Sequence, residues 1–281
     1  VAKQCASSFD SAIYKLLLST VFIFAVKPLL SQKYFSGHNE VGIIAGGSNY
    51  HGDLSHGFNF QNTHPGFGAF YKYNLSSYFC WRNQLQFMGV AGSDKGVKGY
   101  NNRNLSFQTD IWDISSTFEF NFQPFGTNVN DLNWTPYFYT GLNLFLFDPT
   151  RLENKDIRLR GLRTENQRKP YSRLQPAIPI GFGLKKMLTP QKNRGVWIVG
   201  IEGCWRKTFT DYLDDVSGVY PDYKALVDSR GLGTAEYSHP EVLLGNAPVP
   251  AGTMRGDKHL KDWYYFIGFS ASYRFTPLIC R

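Results

Sequence analysis

Cysteine is scarce: Cys5, Cys80, Cys204 and Cys280 lie far apart, form no CxxC pair and have no histidine at metal-ligand spacing. That spacing excludes a zinc finger or ribbon. Cys5 falls in a segment read below as removable, and the three that remain make a poor disulfide framework, leaving open at most one pair in an oxidising compartment. Charged residues amount to only 19%, with no block of Lys and Arg, so the net charge of +8 comes without the basic stripe or module of a nucleic-acid binder. The surplus reads as scattered surface charge. No serine occupies a G-x-S-x-G elbow. Beyond residue 26 no run is apolar enough for a membrane helix.

Aromatics are abundant: 16% of the chain, with 23 Phe and 17 Tyr beside 27 Gly, a mixture that suits strands better than helices. A length of 281 residues is compatible with a single all-β domain. At the amino terminus Lys3 and Lys15 precede the apolar run Leu16 to Val26. A basic flank followed by a run of that length reads as a secretion signal, residues 1–32, cut near Ser31-Gln32, rather than as a buried amino-terminal helix. The expected folded body is then 33–281.

In that body eight segments alternate apolar with polar or small residues: roughly 40–50, 64–75, 78–90, 105–122, 135–147, 176–188, 195–206 and 262–275. In the seventh, Trp197, Val199, Ile201 and Trp205 share one face and Ile198, Glu202, Cys204 and Arg206 the other. In the fourth, Trp112, Ile114, Phe118 and Phe120 oppose Asp113, Ser115, Thr117 and Glu119. The intervening stretches alternate long and short. Expected external loops are 51–63, 91–104, 148–175 and 207–261; expected periplasmic turns are Ser76-Ser77, 123–134 and 189–194, the middle one longer than the pattern requires. Aromatics gather near predicted strand ends, as in the girdles of a membrane barrel. The expectation is an all-β fold: an eight-stranded antiparallel up-and-down transmembrane β-barrel in the cell outer membrane, with outer-membrane lipid as its first partner. A soluble β-sandwich or lipocalin-like barrel would instead turn the aromatics inward.

The face opposite the apolar one carries Glu40, Lys72, Arg82, Asp113, Glu119, Lys185, Glu202, Arg206 and Arg274. An eight-stranded barrel is only wide enough for side chains, so these four acids and five bases are expected to pair and fill the lumen rather than line a pore. An ion path through them is the less economical reading. For catalysis, His51, His56 and Asp53 fall in the first external loop and His239 and His259 in the last, but all read as scattered loop residues. Asp211, Asp214 and Asp215 lack the EF-hand register and read as solvated loop acids. No catalytic, cofactor-binding or metal-ligating residue is expected, nor a cofactor, nucleic acid or small-molecule substrate: the chain does not read as an enzyme.

The run Arg206 to Tyr220 (RKTFTDYLDDVSGVY), at the exit of the seventh segment, resembles a motif of the outer-membrane barrel family that includes PorG of the type IX protein secretion system. Further similar pieces are Glu40 to Ile43, Gly46 to Leu54, Tyr71 to Leu75, Arg103 to Phe107, Glu119 to Phe122, Thr135 to Tyr137, Ile178 to Lys185 and Asp262 to Phe266. The resemblance implies a non-enzymatic, PorG-like component of a type IX secretion assembly that ties a periplasmic ring lipoprotein and its partner to the outer membrane. The alternative is a stand-alone barrel whose long external loops bind surface ligands.

Overall fold

A computed structural model describes residues 38–55, 62–95, 103–125, 132–188 and 195–275. The proposed signal, the turn 189–194 and the tail beyond Phe275 lie outside the described residues. Eight strands form, β1 (His38–His51), β2 (His64–Asn74), β3 (Phe79–Ser93), β4 (Ser106–Asn121), β5 (Trp134–Leu146), β6 (Leu174–Met187), β7 (Val196–Thr208) and β8 (Trp263–Arg274). Each pairs antiparallel with its sequence neighbours, and β8 closes onto β1, giving a closed barrel in the order β1 to β8. Closure leaves no sheet edge, the condition for a strand structure to cross lipid.

The closing seam depends on small residues. Gly46 of β1 faces Gly268 of β8, and a Cβ on Gly46 would stand 2.1 Å from the Ile267 carbonyl oxygen and 2.4 Å from Gly268 Cα. Backbones approach there as only glycine permits.

Burial alternates along each strand, and its sense is the reverse of a soluble protein's. Outward positions carry exposed Ile43, Phe67, Leu85, Ile114, Phe118, Leu142, Phe182 and Phe269, whereas inward positions carry buried Glu40, Lys72, Arg82, Asp113, Glu119 and Glu202. An apolar surface this extensive is untenable in water and matched to lipid.

Near the long-loop end the alternation stops. Ser48, Asn49 and Tyr50 of β1, and Met88 through Gly92 of β3, are all buried, because the long connections fold over the strands' ends. The largest connection, 209–262, is built rather than slack. It contains α2 (Tyr223–Arg230) and α3 (Leu232–Ser238), followed by a 3-10 turn (Pro240–Leu244), while a single-turn α1 (Leu159–Leu162) lies between β5 and β6. Asp222 caps α2, its carboxylate accepting the Ala225 backbone N–H at 2.7 Å. Leu54, Leu105, Phe147, Leu159, Leu213 and Val216 from the connections join Ile44, Phe70, Met88, Phe107, Ile111, Phe145 and Phe266 from the strands in one apolar cluster. The core therefore spans the upper lumen and the underside of a cap.

At the opposite end the middle turn, longer than the pattern required, has a packing reason. Phe125 turns inward and packs with Met187, Ile198 and Val196. Its ring lies 4.9 Å from Lys185 Nζ and 5.1 Å from the Arg274 guanidinium, closing the lowest layer of charges.

Candidate functional site

Strand alternation aims the nine charged residues at the axis, and the structure brings them together in three levels. Nearest the short-turn end, Glu119 pairs with Lys72 at 2.9 Å and with Lys185, while Glu40 meets Arg274 at 3.5 Å, Lys72 at 4.0 Å and the Ser272 hydroxyl at 2.6 Å. One level higher, Glu202 takes a forked contact from Arg82 at 2.7 and 2.9 Å. It also accepts the Tyr137 hydroxyl at 2.5 Å and the Tyr139 hydroxyl at 3.0 Å. Higher still, Asp113 holds Arg206 at 2.6 Å and accepts the Tyr264 hydroxyl at 2.9 Å. Gln84 and Gln86 link the upper two levels: Gln84 accepts from Arg82 and donates to Gln86 at 2.7 Å, and Gln86 also accepts from Arg206 at 2.6 Å.

All nine are buried. Each acid touches at least one base, which offsets the large cost of removing these charges from water. Arginine stems and planes also pack on rings, with Arg82 4.4 Å from the Phe70 centroid and 5.2 Å from that of Tyr139. Side chains occupy the axis at every one of these levels. Tyr137, Tyr139 and Tyr264 belong to this network although only its charges stand out in the sequence; their inward parity beside Glu202 and Asp113 is the signal that could have found them.

Above the network lies a second polar cluster, in the cap. Tyr50 Oη stands 2.6 Å from Asp214 Oδ2 and 3.0 Å from Asp262 Oδ1, and all three side chains are buried. The outer oxygens of the two acids accept backbone N–H groups, Asp214 from Val216 and Asp262 from Leu213, each at 2.9 Å. One hydroxyl carries one proton and can donate to one carboxylate, so the second contact requires a proton on an acid. Burial pushes both Asp214 and Asp262 well above the usual carboxylate range, and for Asp262 the neighbouring charge of Asp214 adds to it.

Asp215 accepts Thr164 Oγ1 at 2.6 Å and Tyr171 Oη at 2.8 Å, and burial still lifts it to about 6. Asp211, bonded by the Ser217 hydroxyl at 2.6 Å, is likewise lifted to about 6 by burial. The reading of Asp211, Asp214 and Asp215 as solvated loop acids is therefore corrected: they are the internal polar frame of the cap. Glu165 extends that frame, accepting Arg255 at 3.1 Å and the Ser217 N–H at 2.8 Å.

The histidines divide. His51 and His259 are exposed, and His56 lies outside the described residues. His239 is no idle loop histidine: it is fully buried, with Nδ1 3.0 Å from Glu241 Oε1 and Nε2 3.1 Å from the Pro221 carbonyl, and it locks the turn after α3. No group of three or more His, Cys, Asp or Glu among the described residues is arranged to hold a metal ion. Cys80 and Cys204 are buried free thiols; Cys5 and Cys280 lie outside the described residues.

A closed antiparallel barrel with a lipid-matched exterior, a filled charged interior and connections long at one end and short at the other is an outer-membrane β-barrel. Among solved structures it is similar to small outer-membrane barrels. Ail, the attachment invasion locus protein of Yersinia pestis, is 12% identical with a TM-score of 0.40, covering 86% of this chain and 100% of that one. Neisserial surface protein A is 8% identical at 0.40, with the same coverage of 86% and 100%. OprG of Pseudomonas aeruginosa is 9% identical at 0.35, covering 86% of this chain and 95% of its own. No curated protein matches the chain in sequence. Residues 15–232 match the family described as Domain of unknown function (DUF6089), and the chain belongs to that family.

Proposed function

We propose that the protein is a non-enzymatic outer-membrane component of a type IX protein secretion assembly, a PorG-like anchor that holds a periplasmic ring lipoprotein and its partner against the membrane. The observation that carries this reading is the occupied lumen: paired charges and Phe125 fill the axis, which suits a fixed post in lipid and not a conduit. The resemblance of Arg206 to Tyr220 supports it in a particular way. Leu213 to Ser217 of that run are buried in the cap, so in this chain the run forms a structural frame and leaves partner contacts to other surfaces. With the long connections outside the cell, the short turns would meet the ring.

Mild-detergent capture of the tagged protein from outer membranes tests the proposal. Stoichiometric recovery of a ring lipoprotein and its partner is the expected result; a lone barrel across several detergents overturns it.

A second reading, a stand-alone barrel whose cap binds surface ligands, is favoured by the cap's exposed apolar side chains, among them Val219, Leu243, Leu244, Met254 and Leu260. Loss of ligand adhesion on deleting the cap, with the barrel still folded, would select it.

A further inference from the structure

The outward wall of β4, β5 and β6 changes chemistry within one residue step. On β4 the outward sequence runs Gln108, Asp110, Trp112, Ile114; on β5 it runs Leu144, Leu146, and then Asp148 just past the strand; on β6 Leu174 follows Arg173. Trp112, Leu146 and Leu174 are exposed and form the last apolar level, with Trp112 paired directly to Leu146. A tryptophan at that level is the ordinary mark of a membrane–water boundary.

A cavity of about 260 Å³ opens directly above that level, with Trp112 at its floor and Asp110, Asp148, Lys155, Arg158 and Arg173 around it. Asp148 gathers two guanidinium groups, Arg158 at 3.2 Å and Arg173 at 3.7 Å, and so orients both while neutralising only one. Lys155 forms no ion pair among the described residues. Three cations against two acids leave one positive charge uncompensated. A site too small for an extended organic ligand, lined by guanidinium and ammonium donors, fits a phosphate group.

Immediately below, an apolar groove of about 680 Å³ starts on β5 and β4 and crosses the outward faces of β3, β2 and β1, with Leu144, Leu142, Ile114, Leu85, Ala69 and Val41 along it. Ile114 pairs with Leu144 one outward step beneath the Trp112–Leu146 pair, so the groove begins where the charged cavity ends. Charged cavity and apolar groove together have the two-part chemistry of a phosphate-bearing lipid.

We propose that this wall binds one phosphate-bearing membrane lipid: its headgroup phosphate sits among Lys155, Arg158 and Arg173, and an acyl chain lies in the groove across Ile114 and Leu144. The site rests on the barrel's place in a membrane and is independent of any secretion partner. Free phosphate would share the headgroup chemistry but leave the groove empty; the groove selects the lipid.

Native mass spectrometry of the detergent-solubilised full chain tests this, with dioleoyl phosphatidylglycerol, the matching uncharged diacylglycerol and inorganic phosphate as three separate probes. Retention of phosphatidylglycerol alone is expected. Lys155→Ala and Arg173→Ala should each weaken it about five-fold, as for removal of one cation at a membrane surface. Lys258→Ala, on a connection away from the cavity, serves as the control and should leave retention unchanged. Ile114→Trp, which fills the groove without touching the cations, should also weaken retention. Heat-modifiable gel migration shows that each variant is folded. Equal retention by the Lys155→Ala and Arg173→Ala variants, equal retention of diacylglycerol, or displacement of the lipid by millimolar inorganic phosphate would each overturn the proposal.

Discussion

Glu202 and Arg82 are partners of unequal importance, and the inequality can be calculated from the contacts. At 2.7 Å, unit charges attract by about 6 kcal/mol at an effective dielectric near 20, most of it offset by desolvation. Removing one partner is different, because the other charge stays buried. Arg82→Met leaves Glu202 with two hydroxyl donors, Tyr137 and Tyr139, and should cost about 3 kcal/mol, the lower end for a broken buried pair. Glu202→Leu leaves Arg82 without its counter-charge, bonded only to Gln84, and both tyrosine hydroxyls without their acceptor; adding about 1 kcal/mol per orphaned hydroxyl to a broken buried pair gives a cost of about 5–7 kcal/mol. In Arg82→Met/Glu202→Leu no charge is stranded, and only the two hydroxyls and the Gln84 carbonyl oxygen lose their partners, so the double variant should be more stable than Glu202→Leu alone. Urea titrations of the barrel refolded into lipid vesicles, followed by tryptophan fluorescence and heat-modifiable migration, measure all three. Additive costs, or Arg82→Met costing as much as Glu202→Leu, would refute the reasoning.

The cap should respond to pH with a defined sign. Asp211, Asp214, Asp215 and Asp262 have raised folded-state values, so their stabilising contribution is complete below about pH 4 and is lost as pH rises through about 6 for Asp211 and Asp215, and higher for Asp214 and Asp262. Limited proteolysis within 209–262 should accordingly be faster at pH 8 than at pH 5, and Asp262→Asn, which removes one charge and keeps the shape, should flatten the difference; protection that grows with pH would contradict this. Phe125→Ala removes the ring that closes the lowest charged layer and should destabilise the barrel by about 3–5 kcal/mol in the same urea titrations. Gly46→Val, whose side chain would begin 2.1 Å from the Ile267 carbonyl, should prevent closure and abolish heat-modifiable migration. Cys80 and Cys204 should resist thiol reagents until the barrel is unfolded.

Strand positions and faces were legible because a period of two, sustained over ten or more residues, matches the pleat of a strand and neither a helix nor a loop, and each strand lies within about three residues of its expected bounds. The charges of the lumen followed from parity alone: once Trp197 and Trp205 face outward, Glu202 and Arg206 must face inward. The cap was not legible. Asp214 and Asp215 look like solvent residues in any local window, and it is Tyr50, more than 160 positions from Asp214, and Thr164 and Tyr171, more than 40 from Asp215, that make them interior. Long-range burial of polar groups leaves no periodic trace. The third strand outruns its expected end at residue 90 for a related reason: it continues to Ser93, and Ala91 is covered by connections that carry no recognisable pattern.

The lumen charges also bear on how β1 finds β8. A slip of one residue would turn every apolar side chain of a strand inward, and lipid itself forbids it. A slip of two preserves the alternation completely, so the apolar belt cannot detect it. It would, however, carry Glu40 about 7 Å from Arg274 and Lys72, far beyond the 3.5 and 4.0 Å at which they meet. The stacked ion pairs thus work as a tumbler lock along the axis: the exterior lets strands slide in steps of two, and only one position turns.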